Sequence, residues 1–454
     1  MVVRSLVIAS ALVAAGPAPA RADDGPALSE VLALVRAQAA EIAALKVRLV
    51  ALEADEGAPA PVLVTDRASG RISERATPAL APAPVADEAL APVPASVGEP
   101  SGFSIKPRGR IEADTVAYHS RDGRAYDDGA GFRRARLGVQ GTLPGSFKYQ
   151  IEADFAGGDK AKLDDTYLRY SGIEGTDITI GFHKIYHSLD SATSDLDVSF
   201  MERSMVSNAF EVGAGGKMGL SALTSGPNWS VQYGVMLSSP NSGDADKDGW
   251  SLAGRATYAP VMAEGRLLHV GVSAYVRHED DELVSFSDRP EIRNDSFKPY
   301  DSGTVAASHY SYLGGEVATS YGPLTLQGEI SRMQTSASTG DHNFWGTTLQ
   351  ASYMLTGESK PYSGGKGAFG RLKPHRAMGE GGFGAVELAL RFSHLDVRDG
   401  GTGTVGDTLT LGLNWYMTDA VRLMINAVDF GAKASGGIIT AKGQAYGMRA
   451  QVRW

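Results

Sequence analysis

The chain contains no cysteine among its 454 residues. That excludes a disulfide framework, a thiolate metal site and a cysteine nucleophile. It leaves the redox compartment open, because disulfides are optional in oxidising spaces. The chain also lacks any run approaching the ~18 consecutive apolar residues of a transmembrane helix. A membrane location would therefore require a closed β-barrel, the other structure that satisfies every backbone group in lipid. Charge is sparse too. Charged residues make up 21%, below the usual ~25%, and the formal net charge of −9 provides no basic face for nucleic acid. Glycine is what the chain has in plenty: 55 residues, about 12% against a usual ~7%. The length admits about three soluble domains or one large barrel.

The N-terminus addresses the compartment. Met1–Ala22 carries Arg4, an apolar run Leu6–Ala15 and Ala20-Arg21-Ala22 before Asp23-Asp24. A charged start, a short apolar core and an A-x-A-like site read as a secretory signal peptide. Residues 23–55 follow with Leu28, Val31, Val35, Gln38, Ile42, Leu45, Leu49 and Leu52 at alternating spacings of three and four. These are the seam positions of a short coiled-coil helix. Residues 56–102 hold eight prolines among Ala, Val and Glu. Such a Pro/Ala-rich linker favours extended polyproline II over a packed core. Its expected setting is periplasmic, within reach of peptidoglycan.

Over residues 103–454 the period changes to two. Phe147, Tyr149, Ile151, Ala153 and Phe155 alternate with Lys148, Gln150, Glu152 and Asp154. Val231–Leu237, Leu409–Trp415 and Tyr446–Trp454 repeat the pattern. Apolar and polar faces alternating for about nine residues are the mark of transmembrane barrel strands. Trp454, the last residue, closes such a strand, as is typical of outer-membrane barrels. Sixteen strands are expected, starting near residues 103, 132, 147, 164, 177, 216, 229, 250, 267, 310, 324, 343, 385, 407, 421 and 444. Short and long connections then alternate, with one exception. Gly357–Gly384 falls on the short side, so either a hairpin is miscounted or a long turn exists. The expected fold is all-β: a sixteen-stranded antiparallel transmembrane β-barrel, preceded by the coiled-coil helix and linker. A barrel of that size encloses an aqueous channel.

Several segments in order resemble the phosphate-selective porin family, the porin O and P family. They are Gly131-Phe132-Arg133-Arg134-Ala135-Arg136-Leu137-Gly138-Val139, Glu152–Ala156, Asp164-Asp165-Thr166-Tyr167 and Thr179–Lys184. Phe200-Met201-Glu202-Arg203-Ser204 with Asn208-Ala209-Phe210 is the most distinctive, and Leu355-Thr356-Gly357-Glu358 and Glu387–Ser393 follow. The resemblance implies a trimeric porin in the outer membrane, among lipid and lipopolysaccharide, with an inward-folded third loop and a basic constriction passing small anions such as phosphate.

A pore selects by the charges at its narrowest point, and arginine offers planar, fixed-charge donors for phosphate oxygens. Alternation puts Arg134 and Arg136 on one face, read as the lumen, and Arg133 on the other with Ala135 and Leu137. Lys148 and Arg169 face the lumen by the same rule. Lys184 sits at the root of the third long loop, where the family's constriction lysine lies, and Arg203 lies within that loop. These six are the candidate constriction residues; bracing to lumen carboxylates is the competing role for each. The third loop also holds Asp190, Asp195, Asp197, Glu202 and Glu211, so a general or weakly cation-selective channel stands beside the anion reading. A coiled-coil tether between outer membrane and cell wall is a further alternative.

Other chemistry is thin. Asp244-Ala245-Asp246-Lys247-Asp248-Gly249 opens like an EF-hand loop, yet its twelfth position is Arg255 rather than Glu. His183 and His187 read as solvated lumen side chains rather than metal ligands. No G-x-S-x-G elbow is present. An enzyme, a cofactor and a structural metal are not expected.

Overall fold

The computed structural model describes residues 102–454, save 159, 214, 240, 242–248, 280–282 and 337–339. The expected signal peptide, coiled-coil helix and linker, and most of the Asp244–Gly249 loop, lie outside the described residues.

Sixteen long strands follow one another: β1 (Ser104–Ser120), β2 (Gly129–Leu143), β3 (Phe147–Asp154), β4 (Thr166–Ile173), β5 (Thr176–His183), β6 (Lys217–Ser225), β7 (Trp229–Met236) and β8 (Trp250–Ala263). Then come β9 (Arg266–His278), β10 (His309–Tyr321), β11 (Leu324–Ser336), β12 (His342–Met354), β13 (Ala385–Asp396), β14 (Thr404–Tyr416), β15 (Val421–Ala434) and β16 (Ile439–Arg453). Each pairs antiparallel with the next, and β16 returns to β1 in register from Arg110↔Arg453 to Ser120↔Gly443. The barrel is closed, so the sheet has no free edge. At the seam, Trp454 exchanges two backbone hydrogen bonds with Gly109, at 3.3 and 3.1 Å. A Cβ on Gly109 would collide with the Trp454 ring and crowd the Arg136 carbonyl, so only glycine fits beneath that indole.

The alternation works inside out relative to a soluble sheet. Ile151, Tyr233, Leu411 and Met448 are exposed, whereas Glu152, Thr410, Asn414 and Arg449 are buried. The apolar face points away from the barrel axis and the polar face lines or fills the lumen. Tyr321, Tyr353 and Trp454 at one rim and Phe155, Trp250 and Trp345 at the other are exposed aromatics, the interfacial girdles of a membrane barrel.

Two connections on the loop end turn inward. The third loop, residues 184–216, contains two short helices, α1 (Leu189–Ala192) and α2 (Met205–Ala209). Ser188 and Ser204 cap them, each side chain accepting from a backbone N–H three residues on. The fifth loop, residues 279–308, carries Phe286, Ile292 and Tyr300 into one cluster with Met205, Val206 and Phe210. Lumen-facing glycines make room for these inserts. A Cβ on Gly346 would meet Val206, on Gly412 Phe200, and on Gly447 both Met201 and Ile292.

The long connection at 357–384 is real; no hairpin was miscounted. It lies at the turn end, where the other turns have two to four residues, and it also enters the barrel. Its two-residue strands Tyr362–Ser363 and Ala368–Phe369 pair with each other, and Phe369 packs with Leu189, Ala259, Leu267 and Ala318. We call this segment the strap.

Candidate pore constriction

The third loop crosses the lumen because the wall and the fifth loop offer partners to polar groups along its length. Glu202 receives Arg133 of β2 at 2.7 and 3.0 Å, Arg449 of β16 at 2.8 Å and Arg293 of the fifth loop at 3.0 Å. Burial alone would raise this carboxyl, but Arg133, Arg449 and Arg293 outweigh it and hold Glu202 well below the usual carboxylate range. Asp195 is a second hub, with Arg203 at 2.5 Å, Arg134 at 3.2 Å and Arg110 at 3.7 Å. It too lies well below its usual value: burial is overcome by Arg134, Arg203 and Arg110. Farther along, the Leu196 carbonyl accepts from Gln451, the Ser199 carbonyl from Asn414 and the Glu202 carbonyl from Arg391. The fifth loop contributes Glu291, which binds Arg391, Ser393, Thr410 and the Met205 N–H. Glu291 has a left-handed backbone, φ 57°, a conformation held only where contacts over-determine it.

The six candidates fall into two groups. Arg134 and Arg203 meet on Asp195, and Arg134 also binds Glu112 at 2.7 Å. Arg136 binds Asp154 at 2.8 Å and also Asp164. Lys184 binds Glu211 at 3.0 Å. Glu211 raises the Lys184 ammonium above its usual value. In return Lys184, with His187 and Arg203, overrides burial and holds Glu211 at about 2. Every cation of this first group is therefore paired. Lys148 and Arg169 form the second group, facing each other across β3 and β4 nearer the turn end. Arg169 donates to Thr179 at 3.0 Å and has Asp177 only at 4.0 Å. Lys148 is exposed to the lumen.

Two expectations are corrected and one set of residues is added. Arg133 faces the lumen, because a β-bulge on β2 pairs Glu112 with Arg134 and Ala113 with Phe132, leaving Arg133 as the extra residue. The bulge turns Arg133 and Arg134 to the same side and sends Phe132 outward. His183 and His187 are buried rather than solvated: His183 bonds Ser221 Oγ at 2.7 Å and His187 bonds the Ser207 carbonyl at 3.0 Å. Arg110, Arg293, Arg391 and Arg449 were overlooked. Arg110 was readable, since Lys106, Arg108 and Arg110 alternate inward on β1; the others became visible only through the loop they hold.

The charge is partitioned by place. The strands carry nineteen basic residues against eleven acidic, the eight loops eleven against twenty-four, and the seven turns five of each. A barrel of net negative charge thus has a basic wall and an acidic loop end.

Residues 105–454 match the family model "Phosphate-selective porin O and P". An uncharacterized protein of Caulobacter vibrioides is 31% identical over 448 residues, covering 92% of this chain and 89% of its own. Porin O of Pseudomonas aeruginosa is 28% identical over 361 residues, covering 71% of this chain and 81% of its own. Among solved structures, a loop-deletion mutant of OmpT, an outer membrane protein of Vibrio cholerae, superposes with a TM-score of 0.52 at 10% identity, covering 78% of this chain and 100% of its own. With the matched model spanning the whole barrel, the chain belongs to the phosphate-selective porin O and P family and forms an outer-membrane channel.

Proposed function

We propose that the protein is a passive, water-filled pore that favours small anions such as phosphate, with its loop end outside the cell and its N-terminal region in the periplasm. The observation that carries this reading is the basic wall. Along β1 to β5, Arg108, Arg169 and Lys184 remain partly exposed to the lumen, and Lys106 and Lys148 are exposed. Arg108 and Lys184 are paired, with Glu152 at 2.6 Å and Glu211 at 3.0 Å, yet all five cations reach water and therefore passing ions. In a confined pore the effective dielectric falls below that of bulk water, and one charge at ~4 Å carries on the order of a few kcal/mol. Loop carboxylates farther away than ~8–10 Å are screened. The test is a planar-bilayer measurement in a KCl gradient, where the reversal potential should report anion preference. A cation preference would favour the second reading, a general or weakly cation-selective channel, which the acidic loop end supports.

We further propose that the working unit is a homotrimer joined through the wall from β3 to β7. Those strands have eight or nine residues, whereas β8 to β16 have 12 to 15. Eight residues tilted as in such barrels span about 20 Å, short of the ~25 Å apolar band. Protein contact relieves that mismatch, and Ile151, Leu168, Ile180, Leu220 and Tyr233 present exposed apolar surface there. Light scattering in detergent should give trimers that persist after deletion of residues 23–101; a monomeric barrel would refute the assignment.

A further inference from the structure

We infer that the strap and the third loop form one coupled aperture, with Glu387 as the positioning residue that holds both. This rests on the pore reading above and adds to it a second element that sets the size limit of the channel. Glu387, on β13, is fully buried. Its carboxylate accepts from Ser199 Oγ of the third loop at 2.9 Å and from Lys360 Nζ of the strap at 2.7 Å. Asn414 and Tyr416 of the wall donate to it at 3.0 and 2.8 Å. Lys360 also donates directly to Ser199. One carboxylate therefore joins an insert from the loop end, an insert from the turn end and the barrel wall.

A second junction repeats the connection with apolar groups. Leu189 of α1, fully buried, packs in one cluster with Phe369 of the strap. The far side of the strap is tied to the wall a quarter of the way round the barrel: Tyr362 bonds His269 of β9 at 2.6 Å, and the Gly367 carbonyl accepts from Arg255 of β8 at 2.7 Å. The strap thus reaches from β12 and β13 to β8 and β9 inside the lumen, and it touches the third loop on the way. The strap therefore occupies lumen next to the third loop, so that the two inserts bound the same passage. Because they share Lys360–Glu387–Ser199 and Leu189–Phe369, neither insert can shift without loosening the other.

Glu387 keeps three neutral donors and Arg422 at 4.0 Å when Lys360 is removed. Lys360→Met should therefore free the strap and leave the carboxylate hydrogen-bonded, though without its nearest charge partner. In planar bilayers the full-length Lys360→Met protein should show single-channel conductance raised by about 1.5-fold or more, since the narrowest section governs passage. It should admit larger polyethylene glycols. The reversal potential in a KCl gradient should stay put, because Lys360 is paired and nearly buried, and Lys360→Arg should restore the wild-type conductance. The absence of native cysteine allows a direct control. In the Lys360→Met background, Leu189→Cys with Phe369→Cys should return conductance to the wild-type level when oxidised and release it on reduction. Phe369→Ala, which alters the strap and leaves every barrel strand intact, should raise conductance in the same direction. Unchanged conductance and size limit in both Lys360→Met and Phe369→Ala would overturn the inference. So would a cross-link without effect. A wild-type protein that forms no channels would instead overturn the pore reading itself.

Discussion

Two sets of lumen cations share their chemistry and differ in their surroundings. Arg277, Arg391 and Arg449, on β9, β13 and β16, are 1% exposed, each bound to a carboxylate. Arg108, Arg169 and Lys184, on or just after β1, β4 and β5, are 29–33% exposed. The first set sits where the third and fifth loops fill the barrel. The second sits where water reaches the wall. An arginine sealed against its carboxylate has spent its field on a structural partner. A cation about one-third exposed still meets a passing ion, even when paired as Arg108 is with Glu152 at 2.6 Å and Lys184 with Glu211 at 3.0 Å. The same residue type braces where the loops bury it and lines the path where water reaches it.

The comparison is most severely tested at Arg449. Its guanidinium serves Glu112 at 3.2 Å, Asp114 at 2.7 Å and Glu202 at 2.8 Å. Arg449→Met would leave three buried carboxylates short of a partner, and breaking one such pair costs about 3–5 kcal/mol. The folded, heat-modifiable barrel should be largely lost, or should melt far below wild type in a gel-shift series. A variant that folds and melts normally would show that the buried arginines are not braces.

The lining set should respond in selectivity instead. Lys184→Glu places a second carboxylate beside Glu211 and should move the reversal potential in a KCl gradient toward cation preference, with the barrel folded. Arg169→Glu should act in the same direction. Arg332→Gln is the matched control, since Arg332 is exposed on the outward face of β11 and should leave the potential unchanged. Equal shifts from Lys184 and Arg332 would erase the distinction between lining and remote charge.

How much of this was readable beforehand follows the same division. The sixteen strands were legible because a period of two with an apolar outer face is a local property. Only the last start moved appreciably, from 444 to Ile439, where Thr440, Ala441 and Gly443 blur the alternation. The inward faces of Arg134, Arg136, Lys148 and Arg169 followed from the same periodicity. Arg133 did not, because a one-residue bulge leaves no mark in the pattern and reverses the face of everything beyond it. The hubs were invisible for another reason. Glu202 gathers arginines 69, 91 and 247 positions away, and only the closed barrel brings them together. The strap appeared in the sequence as an anomaly of length, without any sign that it turns inward.

The smallest effect separates the two loops by pH. Asp288 of the fifth loop is buried, with Asn208 donating at 2.8 Å and Arg293 at 3.7 Å. Burial outweighs both and pushes its carboxyl from an ordinary 3.8 up to about 6. Glu211 of the third loop goes the other way, from 4.5 down to about 2. A raised carboxyl favours the fold when protonated, so the folded state binds more protons between about 4 and 6. The contribution of Asp288 is full below that window, declines across it and levels off above pH 6. The contribution of Glu211 is present above pH 4.5 and lost only as pH falls toward 2. Between pH 4.5 and 7, then, the fifth loop should loosen while the Lys184–Glu211 pair stays intact. Limited proteolysis of the folded barrel should cut within residues 279–308 faster at pH 7 than at pH 4.5, and Asp288→Asn should remove that difference. A cleavage profile identical in wild type and Asp288→Asn would mean that the fifth loop is held by Glu291 and Arg293 alone, whatever the state of Asp288.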